Sequence, residues 1–390
     1  MSAAQWRKAM NSGASAQAWP RTRRVGAPPG AADEIDEYTD QDAPAWLKWI
    51  WRRVSTRHVL VLALLVAFPF IATSFFTFQI GAQSLALGLV ALSLMFLGGY
   101  GGMISLAQMT VAGIAGYMVA ILGVSGSAEI SLGWPWWIVV PLAIAIATVC
   151  GTLIGWLAVR TEGIYTIIIT FAIGVAFHYL ALQNYSVFNG FQGLQKVYPP
   201  EVFGIDWRAP LPFYFLALGG ALAAYFFVKY LASAPFGVAL QGVRDNPRRM
   251  NALGFNVTAH RVAAYAVAGL IAAIGGVLLV WYNGLITPGS IGTSWLINIL
   301  VIAVLGGLRH PIGPFLGAIV FVLLQNFAID VFDRERFNLV IGAMFLAIVL
   351  FSPDGLLGLW ARLRVRLGSP VNPNRISTQR PASRASPKED

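Results

Sequence analysis

The chain has 390 residues, of which 57% are hydrophobic and only 11% charged, with a formal net charge of +10. A soluble domain is about one-quarter charged, whereas the only Asp, Glu, Lys or Arg between His58 and Trp156 is Glu129, which excludes a soluble globular fold. Continuous apolar runs also exclude a transmembrane β-barrel, whose strands alternate over about ten residues. What remains is an all-α, polytopic membrane helical bundle, with about 20 apolar residues in each span.

Residues 1–57 read as an N-terminal extension. Residues 1–44 contain Pro28-Pro29, an arginine cluster (Arg21, Arg23, Arg24) and an acidic run from Asp33 to Asp42; that composition cannot bury a core, so disorder is expected. The apolar run arrives too late for a signal peptide. AWLKWIWRRVSTR, at 45–57, reads as a basic interfacial helix feeding the first span. Ten spans are then expected within a transmembrane domain at 58–353: 58–78, 80–98, 103–123, 135–158, 163–182, 211–230, 261–283, 293–306, 312–329 and 337–352. The stretch 293–306 is short enough to be re-entrant instead. Residues 354–390 form a C-terminal tail, Ser/Pro/Arg-rich and disordered from 368.

Basic residues set the expected orientation. With the N-terminus inside, loops and flanks on the inner side carry 13 Lys and Arg against 4 outside (Lys196, Arg208, Arg334, Arg336). The positive-inside rule then puts both termini in the cytoplasm of a bacterial plasma (inner) membrane. Trp134, Trp136 and Trp137 mark an outer edge, and Trp46, Trp49 and Trp51 an inner one. The net positive charge fits anionic membrane lipid better than nucleic acid.

Small residues suggest close helix contacts at Gly151-x-x-x-Gly155 and Gly313-x-x-x-Gly317. Gly98, Gly99, Gly101 and Gly102 break the pattern between the second and third spans, as a tight turn or as a broken helix lining a path. The lone cysteine, Cys150, sits in an apolar run and reads as a packing residue.

One polar insert interrupts the apolar chain: GVRDNPRRMNALGFNV, 242–257. Asn246 can cap a helix that starts at Pro247, and Gly254 can end it. Two turns are marginal alone in water, so the helix must rest on a membrane face or a partner. Its arginines either fix topology alone or mark a docking helix for a cytoplasmic protein.

The segment VRDNPRRMNALGFNVTAHRVAAYAVAGLIAAIGGVLL resembles the permease subunits of branched-chain amino acid ABC importers, the LivM-like family. GGYGGMISLAQMTVAGIAGYMVAIL, RTEGIYTIIITFA and TPGSIGTSWLINILVIAVLGGLRHPIGPFLGAIV resemble three further stretches of that family, and the resemblance runs from about residue 85 to 350. LAQM at 106–109 and FNGFQGL at 188–194 depart from its pattern. The resemblance implies that Arg244, Asp245, Asn246, Arg248, Arg249, Met250, Leu253 and Gly254 form an ATPase-coupling helix. It also implies a second homologous permease subunit, two ABC ATPase subunits and an extracytoplasmic solute-binding protein as partners. Amino acids, branched-chain or otherwise hydrophobic, are the implied cargo; urea or a short amide is the alternative and sugars come third.

No Gly-x-x-x-x-Gly-Lys-Ser/Thr phosphate loop occurs, so the chain is not expected to act as an enzyme or to hold a cofactor or metal; ATP and magnesium would be bound by the partner ATPases. An ion-coupled transporter usually carries ionisable groups in its spans, and only His178 is titratable there, where it reads as a hydrogen-bonded packing residue. A membrane enzyme lacks any His/Asp/Glu cluster to support it. The expected translocation path uses neutral polar residues: Ser105, Gln108, Thr110, Ser290, Thr293 and Asn298, with Gln325 and Asn326 beside them. Each of these could equally bond one helix to another. His310 reads as a loop residue, and the loop 183–210 as a docking surface for the binding protein.

Overall fold

A computed structural model describes residues 56–331, apart from 128, 202, 203 and 205, together with 342, 346 and 355–358. The expected extension, most of the tenth span and the tail lie outside the described residues. The chain divides after Leu64 into two units, and the second, from Leu65, carries the architecture that follows.

The helices are α1 (Thr56–Ile71), α2 (Phe76–Tyr100), α3 (Gln108–Leu122), α4 (Trp136–Ala158), α5 (Ile164–Gln183), α6 (Pro210–Ser233), α7 (Pro235–Asp245), α8 (Pro247–Ala252), α9 (Val257–Asn283), α10 (Thr293–Gly306) and α11 (Gly313–Val331). Five of them, α2, α4, α5, α6 and α9, have the length and apolarity to cross a membrane alone. At about 1.5 Å per residue, the 15 residues of α3 and 14 of α10 fall short of a hydrocarbon core about 30 Å thick. Helix α3 follows non-helical chain at 102–107, and α10 follows a turn, a two-residue strand and the 3₁₀ turn Pro288–Ile291.

Three boundaries differ from the sequence expectation. The first span ends at Ile71, not 78, because Pro69 leaves the last turn of α1 without a donor. The third begins at Gln108, not 103: Gly102 takes φ +67°, and the Leu106 N–H leaves the helical ladder to donate to Thr170 Oγ1 of α5 at 3.1 Å. The polar insert is longer than two turns, since α7 precedes α8. Pro235 starts α7, and Gly237, Ala239, Leu240 and Val243 form its buried face.

The centre of the bundle is made by α2 and α9, whose most apolar windows are 83% and 67% buried; those of α4 and α5, at 28% and 22%, turn most of their surface outward. Helix α9 packs on α3 and α4, and α2 on α10 and α11. Helices α2 and α9 run in opposite senses, with Tyr282 beside Gln83 and Gly275 against Val90. Close approach depends on absent side chains. A Cβ on Gly276 would sit 2.1 Å from the Ala112 carbonyl oxygen, one on Gly155 would sit 2.3 Å from Tyr265 Cβ, and one on Gly317 2.1 Å from the Ile302 carbonyl oxygen. Hydroxyls inside the helices satisfy themselves locally: Thr148 Oγ1 donates to the Ile144 carbonyl at 2.7 Å and Thr152 Oγ1 to the Thr148 carbonyl at 2.7 Å.

The two ends of the bundle are built differently. At one end lie α7 and α8. At the other, β1 (Leu194–Gln195) pairs antiparallel with β2 (Leu285–Ile286), Leu194 opposite Ile286. The Val197 N–H donates to the Gly284 carbonyl at 3.0 Å, and the Gly126 N–H to the Gln195 carbonyl at 2.7 Å. The loop after α5 is therefore fastened across this end of α9.

Candidate functional site

A cavity of about 250 Å³ opens between α2, α3 and α9, near the β1–β2 end. Gln83 and Leu87 of α2, Met109, Ala112 and Gly113 of α3, and Gly276, Leu279, Val280, Tyr282 and Asn283 of α9 form three walls; Leu285, Ile286, Ser290, Trp295 and Gln325 complete it. No Asp, Glu, Lys, Arg or His is among these residues. Tyr282 donates to Gln83 Oε1 at 3.4 Å, Asn283 to the Leu279 carbonyl at 2.9 Å, and Ser290 Oγ lies 3.3 Å from Thr287 Oγ1. Gln325 Oε1 is buried with no hydrogen-bond partner among the described residues. The volume sits just below the usual small-molecule range of about 300–1,000 Å³, room for one amino-acid-sized molecule.

The residues expected along a path separate into two groups. Ser290 and Gln325 line the cavity. Ser105, Gln108 and Thr110 are buried at helix contacts instead: Gln108 Oε1 accepts from Ser93 Oγ at 3.1 Å, Ser105 Oγ from the Ala107 N–H at 3.4 Å, and Thr110 Oγ1 faces Gly174 of α5. Thr293 is exposed in the first turn of α10, Asn298 is half-buried further along it, and neither lines the cavity. Asn326 donates to the Val322 carbonyl at 2.8 Å, within its own helix. Gln83, Tyr282, Asn283 and Trp295 lie outside the expected path; two glutamines, Gln79 and Gln83, in the apolar run FQIGAQSLAL were the available signal. His178 Nδ1 donates to the Pro288 carbonyl at 2.9 Å, which ties α5 to the stretch before α10.

At the opposite end, α8 buries none of its residues. Asn246 Oδ1 accepts from the Arg249 N–H at 2.9 Å and Pro247 opens the helix. Gly254 closes it at φ +89°, a conformation only glycine adopts without strain, and the Phe255 N–H donates back to the Met250 carbonyl at 3.1 Å. Arg248, Arg249 and Leu253 project from this helix, with Leu253 67% exposed. Met250 turns inward, its Sδ against Gly242 of α7. Arg244 and Asp245 lie outside α8 in the last turn of α7. Arg244 Nη1 donates to the Gly99 carbonyl of α2, and its Nε donates to Asp245 Oδ1 at 2.9 Å.

Five helices long and apolar enough to cross a membrane, a cavity with no charge among its described lining residues and a polar helix exposed at one end are the build of a multi-pass membrane protein. The sequence model for the permease component of branched-chain amino acid transport systems matches residues 76–349, and the chain belongs to that family. It is similar to the high-affinity branched-chain amino acid transport system permease protein LivM of Escherichia coli K12, 24% identical over 322 residues that cover 77% of this chain and 74% of the relative. The probable LivM protein of Methanocaldococcus jannaschii is 23% identical, covering 55% of this chain and 67% of its own. The ribose import permease protein RbsC of Haemophilus influenzae is 21% identical, covering 64% and 78%. No solved structure matches. The chain is a permease subunit of an ABC importer.

Proposed function

We propose that this permease carries hydrophobic amino acids, branched-chain ones first, through the cavity between α2, α3 and α9. The observation that carries this reading is the lining: apolar walls from Leu87, Met109, Leu279, Val280, Ile286 and Trp295, with amide and hydroxyl groups and no charge among the described residues. An amino acid crosses as a zwitterion, and a buried opposite charge would trap one end of it. Neutral dipoles at the wall hold it weakly enough to leave. The relatives named for branched-chain amino acid transport support the same cargo. Urea or a short amide is the second reading, favoured by the amides of Gln83, Asn283 and Gln325 at the cavity.

In this reading the α8 end faces the cytoplasm, with both termini, and the β1–β2 end faces outward. That assignment puts Arg160, Arg244, Arg248, Arg249 and Arg261 inside, as the positive-inside rule requires. Helix α8, through Arg248, Arg249 and Leu253, docks one of two ATPase subunits, which hold ATP and magnesium. A second homologous permease completes the pore, and an extracytoplasmic binding protein delivers cargo onto the loop between α5 and α6. The test is uptake of radiolabelled leucine and of urea into vesicles holding the reconstituted complex. Leucine uptake should require ATP on the α8 side and persist when ion gradients are collapsed. Uptake that follows the gradients and ignores ATP would overturn the reading, and uptake of urea alone would select the second one.

A further inference from the structure

Arg244 stands three residues before Pro247, the first residue of α8, and its part-exposed side chain reaches back to the break between α2 and α3. Nη1 donates to the Gly99 carbonyl, while Asp245 Oδ1 holds Nε and Nη2, each at 2.9 Å. The aliphatic stem lies on Gly102, where a Cβ would come within 2.5 Å of Arg244 Cγ. Leu240, fully buried one turn earlier in α7, approaches Gly101. On the other side, a Cβ at Gly99 would meet the Leu308 carbonyl oxygen at 2.1 Å. Residues 99–102 are thus clamped between α7 and the loop joining α10 to α11.

Beyond the clamp the chain is non-helical to Ala107, and α3 then presents Met109, Ala112 and Gly113 to the transport cavity. Gly102, Met103 and Ile104 also line a separate cavity of about 180 Å³ at the α8 end. Six residues lead from Gly102 to Gln108, a reach of at most about 22 Å.

We propose that Arg244 is the positioning residue of the transport stroke: it latches α7, and through it α8, to the segment that sets the position of α3. The proposal rests on the reading of α8 as the docking element, and gives Arg244 a role different from docking. When α8 is displaced, the guanidinium carries the Gly99–Gly102 segment with it, and α3 follows.

The experiment uses the full complex of permeases, ATPases and binding protein in vesicles, with ATP turnover and leucine uptake measured together. Arg244→Ala should keep its ATPases on co-purification and continue to turn over ATP, while leucine imported per ATP falls tenfold or more. Arg244→Lys, whose ammonium can still donate to Gly99, should recover several-fold of that loss. Loss of the ATPases from Arg244→Ala would make Arg244 a docking residue and overturn the latch, as would normal coupling in that variant. The docking reading is judged on a different protein: ATPases that remain bound to the Arg248→Glu/Arg249→Glu variant would refute it whatever Arg244 does.

Discussion

Reversing the charge of Arg248 and Arg249 together separates docking from folding. Neither residue is buried, and neither side chain makes a hydrogen bond or ion pair within the described residues. Both stand in the first turn of α8, behind Pro247 and the Asn246 cap. Glutamates there face the positive end of the helix, which favours them by about 0.3–1 kcal/mol each, and a glutamate in place of Arg249 can reach back to the cap residue. The variant should therefore fold and accumulate in the membrane as the parent does. Its effect falls on the partner: removing one member of a buried, hydrogen-bonded charge pair at an interface costs about 2–5 kcal/mol, roughly 30- to 3,000-fold in affinity at 1.4 kcal/mol per tenfold. Co-purification of the ATPases and ATP-dependent leucine uptake should both fall by at least 30-fold, with a Gln/Gln variant intermediate. Normal uptake at normal abundance would refute the reasoning.

Two further outcomes follow from the packing and the cavity. Gly276→Leu drives a side chain into the Ala112 carbonyl, 2.1 Å from the added Cβ; backbone cannot yield as a side chain does, so a penalty of about 1–3 kcal/mol or more is expected, read as a lower thermal midpoint in detergent, and an unchanged midpoint would mean that α3 and α9 are not in this contact. Gln325→Leu removes a buried acceptor that has no partner among the described residues; stability should hold or rise, while the leucine concentration for half-maximal uptake rises several-fold, and an unchanged concentration dependence would remove Gln325 from the path.

The long helices were legible because each is an uncharged run that only a membrane-spanning helix explains; α2, α4, α5, α6 and α9 all appear where those runs lie. The start of α3 was not legible. Ile104-Ser105-Leu106-Ala107 is as apolar as the helix it precedes, and what releases it from helical bonding is Thr170, 64 residues away. Helix α7 was hidden because PFGVALQGVRD buries one narrow face and looks like loop in composition. The cap and stop of α8 were readable from Asn246, Pro247 and Gly254, since those residue types act on their own backbone. The path was readable only in part: Gln108 and Gln325 look alike in sequence, yet one meets Ser93 inside the bundle and the other faces the cavity. Which neighbour a neutral polar side chain finds depends on tertiary packing, and no local pattern encodes it.

Leu285 stands opposite Gln195 across the two short strands, and the same leucine helps line the cavity. In the proposed reading, a binding protein that lands on the chain near Gln195 would press on a main-chain splint rather than on a loose flap. Pressure there would reach the chamber wall through Leu285, so the arrival of a loaded carrier and the shape of the chamber it empties into would be mechanically one event.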